Sequence, residues 1–193
     1  MLDSAVPTKL LNLCIHKDDR EFIHIRYSAV TGDPNDFRDN GFTLRQVHYD
    51  PPRRTELFIV MAMYNEDDSL LARAMHGVMR SIAYLCKRDR SEAWGKDGWK
   101  KVVVCIVSDG RRKINPRTVS VNAATGAYQE GIATNVVKGR PMVVHIYEYT
   151  TQSAYYGHLL YQLSYVLCSL CYPIKGGQFA PLVLQRVWTN SST

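Results

Sequence analysis

Two short clusters carry residue types suited to binding chemistry: Tyr64-Asn65-Glu66-Asp67 and Ser108-Asp109-Gly110-Arg111. Each follows an apolar run and precedes a segment that reads as a helix. Carboxylates and amides suit the N–H and hydroxyl groups of a base and a ribose. Tyr64 offers an aromatic face for stacking, Gly110 lets backbone approach closely, and Arg111 or Arg112 suits a diphosphate. Against this stands a simpler account: Asn65–Asp68 caps a helix and Asp109-Gly110 makes a turn, since both residue classes are favoured there. Two such clusters at strand ends, each followed by a helix, favour a binding site.

The elements that must position them are legible. Leu57–Met63 is a continuous apolar run bounded by polar residues, the pattern of a strand buried on both faces. After it the apolar spacing changes to about 3.6, with Leu71, Met75, Val78, Ile82 and Leu85 on one face. The acidic cluster sits where capping and the helix dipole favour it. Val102–Ser108 predicts a second buried strand, and Asn115-Pro116 a cap and first-turn proline opening a helix to about Tyr128. Residues 142–149 predict a third strand. Strand–helix–strand–helix–strand implies an α/β fold with a parallel sheet of the doubly wound kind, whose ligands sit beyond the carboxyl ends of the strands. Glu66 and Asp109 then share one rim.

Composition narrows the classes. The chain has 193 residues, 46% hydrophobic and 22% charged, with net charge +6, enough for one globular domain and suited to an anionic partner. No Gly-x-Gly-x-x-Gly follows the first strand and no Walker loop occurs. The six histidines show no paired metal spacing. Cys168-x-x-Cys171 is a single pair in an apolar segment, and Trp94 and Trp99 read as packing anchors. No nucleic-acid-binding module is recognisable, so no nucleic-acid partner is expected. Five scattered cysteines and an opening without a secretory pattern point to a reducing, cytosol-facing setting.

Composition breaks near Gln152. All 18 acidic residues precede it, and 153–193 holds only Lys175 and Arg186 as formal charges. The segment 1–50 reads as an N-terminal extension with a short helix near 8–18, and Asp50-Pro51-Pro52 as a stiff lead-in. The tail reads as translated intron or out-of-frame sequence; a genuine truncated isoform and a membrane span over Ala154–Ile174 are the lesser alternatives.

Specific stretches add a resemblance. These are Asp33-Pro34-Asn35-Asp36-Phe37, Asn40-Gly41-Phe42-Thr43-Leu44-Arg45, and the run from Thr55-Glu56-Leu57-Phe58 to Met63-Tyr64-Asn65-Glu66-Asp67. Arg73-Ala74-Met75-His76-Gly77-Val78-Met79, Cys105-Ile106-Val107-Ser108-Asp109-Gly110-Arg111 and His145-Ile146-Tyr147-Glu148-Tyr149-Thr150-Thr151-Gln152 continue the pattern. Over about 12–152 the sequence resembles fungal chitin synthases.

The resemblance implies a GT-A glycosyltransferase domain on the cytosolic side of the plasma membrane. It implies inverting transfer of N-acetylglucosamine from UDP-N-acetylglucosamine to a growing β-1,4 chitin chain. Residues 51–152 would be the first half of that domain. By resemblance Tyr64, Asn65 and Glu66 fall in the uridine-binding stretch, and Asp109, Gly110 and Arg111 in a second nucleotide-binding stretch. The family's divalent metal (Mg or Mn) site, general base, chain-binding motif and C-terminal membrane helices have no counterpart after Gln152. No catalytic or metal-binding residue is therefore expected in this chain. Two readings stay open: a partial chitin synthase, and a truncated UDP-binding or regulatory module without catalysis.

Overall fold

The computed structural model describes residues 2–5, 8, 24–32, 36, 39–108, 113–124, 130–141, 144–155 and 159–170. Strands β1 (Leu2–Ala5), β2 (His24–Gly32), β3 (Leu57–Met63), β4 (Val102–Ser108), β7 (Val144–Tyr155) and β8 (Leu159–Leu170) form one six-stranded sheet in the order β1-β2-β7-β8-β4-β3. Between β4 and β7, β5 (Val136–Val137) and β6 (Arg140–Pro141) make a small separate hairpin. Helix α1 (Asp68–Cys86) joins β3 to β4, and α2 (Pro116–Ala124) follows β4.

The β3–α1–β4 unit matches the sequence reading at both strand boundaries. The strands pair in parallel from Leu57↔Val102 to Met63↔Ser108. A parallel pair requires a crossover, which α1 supplies. Along β3, alternation places Leu57, Ile59, Met61 and Met63 on one face. These pack with Leu71, Met75, Val78, Met79 and Ile82 of α1 and with Val102, Val104 and Ile106 of β4. Every residue of β4 is buried, as a central strand requires. β3 differs from the expectation of burial on both faces. It lies at the sheet edge, and Val60 is 42% exposed on the face away from α1.

The expectation of three parallel strands is corrected. The strand predicted over 142–149 is observed as β7 over Val144–Tyr155, with 142–143 outside the described residues. It is not a parallel neighbour of β4. β7 runs antiparallel to both β2 and β8, and β8 takes the parallel position beside β4. Only residues 156–158 separate β7 from β8, far fewer than the dozen a parallel crossover needs. The sheet is therefore mixed. Residues 159–170 of the stretch weighed as a membrane span are strand, and among the described residues no helix is long and apolar enough to cross a membrane. The helix expected over 8–18 lies, apart from Thr8, outside the described residues. So does 125–128 of the helix expected to reach Tyr128.

Trp99 is 4% exposed and belongs to the core, and Trp94 packs against it, so both tryptophans are packing residues. Gly98 lies where the loop after α1 crosses the helix end: a Cβ there would meet the Trp94 ring at 3.3 Å and the Cys86 thiol at 3.7 Å.

A second layer crosses β7 on the face opposite Tyr147. Arg45 donates its backbone N–H to both carboxyl oxygens of Glu148, at 3.0 and 3.1 Å. Tyr49 Oη lies 3.1 Å from Thr150 Oγ1, and Leu44 and Gln46 are fully buried beside them. The strap continues to Arg53, whose guanidinium covers the Tyr49 ring at 3.7 Å and faces Trp99 at 5.0 Å. Burial pushes the Glu148 carboxyl up to about 7, with the Arg45 amide and guanidinium opposing the shift.

An acid whose folded value is raised binds more protons folded than unfolded between its two values. Stability is therefore highest below the unfolded value of 4.5 and is lost as pH rises to about 7. The contribution is on the order of 3 kcal/mol. Urea unfolding from pH 4.5 to 7 should show this decline, and Glu148→Gln should flatten it; an unchanged slope in the variant would contradict the assignment.

Candidate functional site

The register of β3 on β4 sets the geometry. Met63 pairs with Ser108, so the chain leaves both strands at the same level, about 4.8 Å apart. The two clusters read from the sequence thus begin side by side at the carboxyl rim. Asp109, Gly110, Arg111 and Arg112 lie outside the described residues. The structure places Tyr64, Asn65 and Glu66 at the rim.

Tyr64 is 56% exposed and Asn65 is exposed beside it. The Glu66 carboxylate is committed locally: it accepts the Tyr64 backbone N–H at 2.5 Å. This closes the loop and holds one carboxylate oxygen at the rim. Asp67 caps α1, its Oδ1 accepting from Leu70 N at 2.8 Å, and Asp68 occupies the first turn. The capping account of the first cluster therefore holds for Asp67 and Asp68. Tyr64, Asn65 and Glu66 precede the helix.

Two residues that the sequence reading did not single out as site residues complete the rim. The Lys113 ammonium lies 5.0 Å from the centroid of the Tyr64 ring, within cation–π range. It brings a positive charge from the segment after β4 to the aromatic residue after β3. Thr118 of α2 is fully buried, and its hydroxyl donates to the Glu66 carbonyl at 2.8 Å. That bond ties the loop after β3 to the helix after β4 across 52 residues of sequence. Asn115 caps the start of α2, its Oδ1 accepting from Arg117 N at 3.0 Å. The signal for Lys113 was its place just beyond Arg111-Arg112. A first-turn threonine such as Thr118 gives no signal until the helices are placed. Ser108 ends β4 with a buried hydroxyl that has no hydrogen-bond partner among the described residues.

The arrangement gathers an aromatic face, an amide, a carboxylate, an ammonium and an orphan hydroxyl at one sheet edge. This is a binding inventory. Among the described residues no three His, Cys, Asp or Glu side chains come together as a metal site.

The sequence model described as "Chitin synthase-like glycosyltransferase domain" matches residues 57–166, and "Chitin synthase N-terminal" matches residues 1–56. The chain belongs to the chitin synthase family. The rim described above falls inside the glycosyltransferase match, and the Arg45 strap inside the N-terminal one. Chitin synthase 2 of Rhizopus oligosporus is 62% identical over 152 residues, covering 79% of this chain and 18% of that protein. Chitin synthase 3 of Pyricularia oryzae is 60% identical over 152 residues, 79% of this chain and 17% of the relative. Chitin synthase C of Aspergillus oryzae is 56% identical over 157 residues, 80% and 17% respectively. The chain thus spans under a fifth of the length of these relatives. The glycosyltransferase match runs past Gln152 into β8.

Thr118→Val keeps the shape and deletes the bond to Glu66. It should cost about 1–2 kcal/mol in urea unfolding and speed amide exchange at residues 64–67. Wild-type exchange at those amides would show that the clamp does not hold the rim.

Proposed function

We propose that this chain is the nucleotide-binding front part of a GT-A glycosyltransferase domain. In this reading it serves a chitin synthase that transfers N-acetylglucosamine from UDP-N-acetylglucosamine to a growing β-1,4 chitin chain. The observation that carries the reading is the level ending of β3 and β4, with Met63 opposite Ser108. Family membership supports the choice of sugar nucleotide and polymer.

Each residue then has a role set by its chemistry. Tyr64 stacks on the uracil, Asn65 and Glu66 meet the N–H and hydroxyl groups of base and ribose, and Asp109 with Gly110 receives the ribose side. Arg111 and Lys113 face the diphosphate, where a planar guanidinium and a compact ammonium complement each other. Thr118 acts through Glu66 as a positioning residue. A divalent metal in such enzymes offsets the charge of the departing UDP. The described residues of this chain do not fit a metal site, and the reading assigns its ligands, the general base and the chain-binding groups to sequence outside these 193 residues. In this reading 1–50 is an extension that straps the domain and 51–152 is its first half; the glycosyltransferase match extends to residue 166, so the tail of different origin is confined to the sequence beyond it. The longer enzyme works at the cytosolic face of the plasma membrane.

UDP titration by calorimetry tests the reading. Saturable binding should appear, and Tyr64→Ala and Asp109→Ala should each weaken it roughly tenfold or more, the loss of one stacking or charged contact. A folded chain that does not saturate at millimolar UDP would overturn it.

A further inference from the structure

Positive charge also collects at the far end of α1. Arg80, Lys87, Arg88 and Arg90 are all exposed, with Asp89 the one carboxylate between residues 80 and 91. None of the four cations joins an ion pair among the described residues, although pairs form elsewhere, at Arg54–Glu56 and Lys100–Asp97. The backbone that presents them is fixed: Lys87 N donates to Tyr84 O and Arg88 N to Leu85 O, both at 3.2 Å. Four cations against one carboxylate in this stretch favour an external anion.

The surface around them is not uniformly polar. Tyr84 is 63% exposed, and the Arg88 guanidinium stands 5.9 Å from its ring centroid. Two hollows are lined by residues of this region. One, of about 430 Å³, is lined by Lys87, Arg88, Asp89, Arg90 and Ser91. The other, of about 470 Å³, is lined by Gly77, Arg80, Ser81, Tyr84 and Leu85. Cations, a projecting tyrosine and a shallow, partly apolar hollow occupy one end of one helix.

We infer that this end of α1 docks on an anionic phospholipid surface. The headgroup layer offers many negative charges in one plane, which meets several cations at once where a single phosphate meets one or two. Tyrosine suits the boundary between headgroups and acyl chains because its ring is apolar and its hydroxyl polar. A polynucleotide would instead stack its bases on the tyrosine, an outcome that the test below separates from lipid binding. The 19 residues of α1 separate this patch from the β3 rim by roughly 28 Å. Lipid contact and nucleotide binding therefore occupy different ends of the helix.

Vesicle flotation of the full chain provides the test, with phosphatidylcholine vesicles against mixed phosphatidylcholine–phosphatidylserine vesicles. The chain should bind the mixed vesicles, ignore the neutral ones and detach as salt rises. Replacing Lys87, Arg88 and Arg90 together by alanine should lower the affinity on the order of 100-fold, and Tyr84→Ala should lower it severalfold. A charge-matched control, Lys96→Ala with Lys138→Asn and Arg140→Ala, should keep most of the binding, and circular dichroism should show every variant folded. Equal loss in the control set would overturn the proposal, because net charge alone would then account for binding. So would absence of vesicle binding, or tight binding of inorganic phosphate or single-stranded RNA at these residues without vesicle binding.

Discussion

The parallel pairing of β3 with β4 is the constraint on which the rest depends. Its register, Leu57↔Val102 through Met63↔Ser108, brings the ends of two strands more than forty residues apart in sequence to one level at one edge. Parallel pairing cannot be closed by a tight turn, so a helix must cross the sheet, and that helix must bury an apolar face. Leu71 and Ile82 do so against Ile59, Met61, Val104 and Ile106. The first turn of the same helix then falls directly after Tyr64-Asn65-Glu66, which explains why its cap, Asp67, adjoins the proposed binding residues. Thr118 repeats the logic from α2, whose hydroxyl fastens the loop that β3 leaves behind.

The opposite side of the sheet is held by different means. The strap from Leu44 to Arg53 crosses β7 with a buried carboxyl as its anchor. Removing a carboxylate from water is unfavourable unless it is neutralised or well hydrogen-bonded, and Glu148 shows both effects: two contacts to the Arg45 amide and a proton held to about 7. The strap connects the part of the chain that matches the chitin synthase N-terminal model to the part that matches the glycosyltransferase model. β2 does the same through backbone pairing, with Thr31 Oγ1 2.9 Å from His145 Nδ1 at the rim end of β7.

Much of this was legible in the residues. Continuous apolar runs fixed the bounds of β3 and β4, and the change of period after Asp68 placed α1. The level of the two clusters followed from the assumption that those strands are neighbours. What was not legible depends on long-range pairing. Residues 24–32 do not announce that they will pair with β7, because their apolar alternation is interrupted by His24, Arg26 and Ser28 and the partner lies over a hundred residues away. The direction of β7 was misread because its apolar pattern is the same whichever way the strand runs. Only the short link to β8 fixes it. The exposed outer face of β3 was likewise invisible, since a buried and an edge strand can share the run Leu57–Met63. At the proposed site, Tyr64 and Glu66 were singled out from their types and spacing, whereas the place of Thr118 depends on where α2 lands.

These strands yield one nucleotide site only if both rim segments respond to the same ligand. Hydrogen–deuterium exchange of the full chain, with and without saturating UDP, addresses that directly. Protection rising together at residues 64–67 and 109–112 is the predicted result. Protection at one segment alone, or at neither despite measured binding, would contradict a shared site at the ends of β3 and β4.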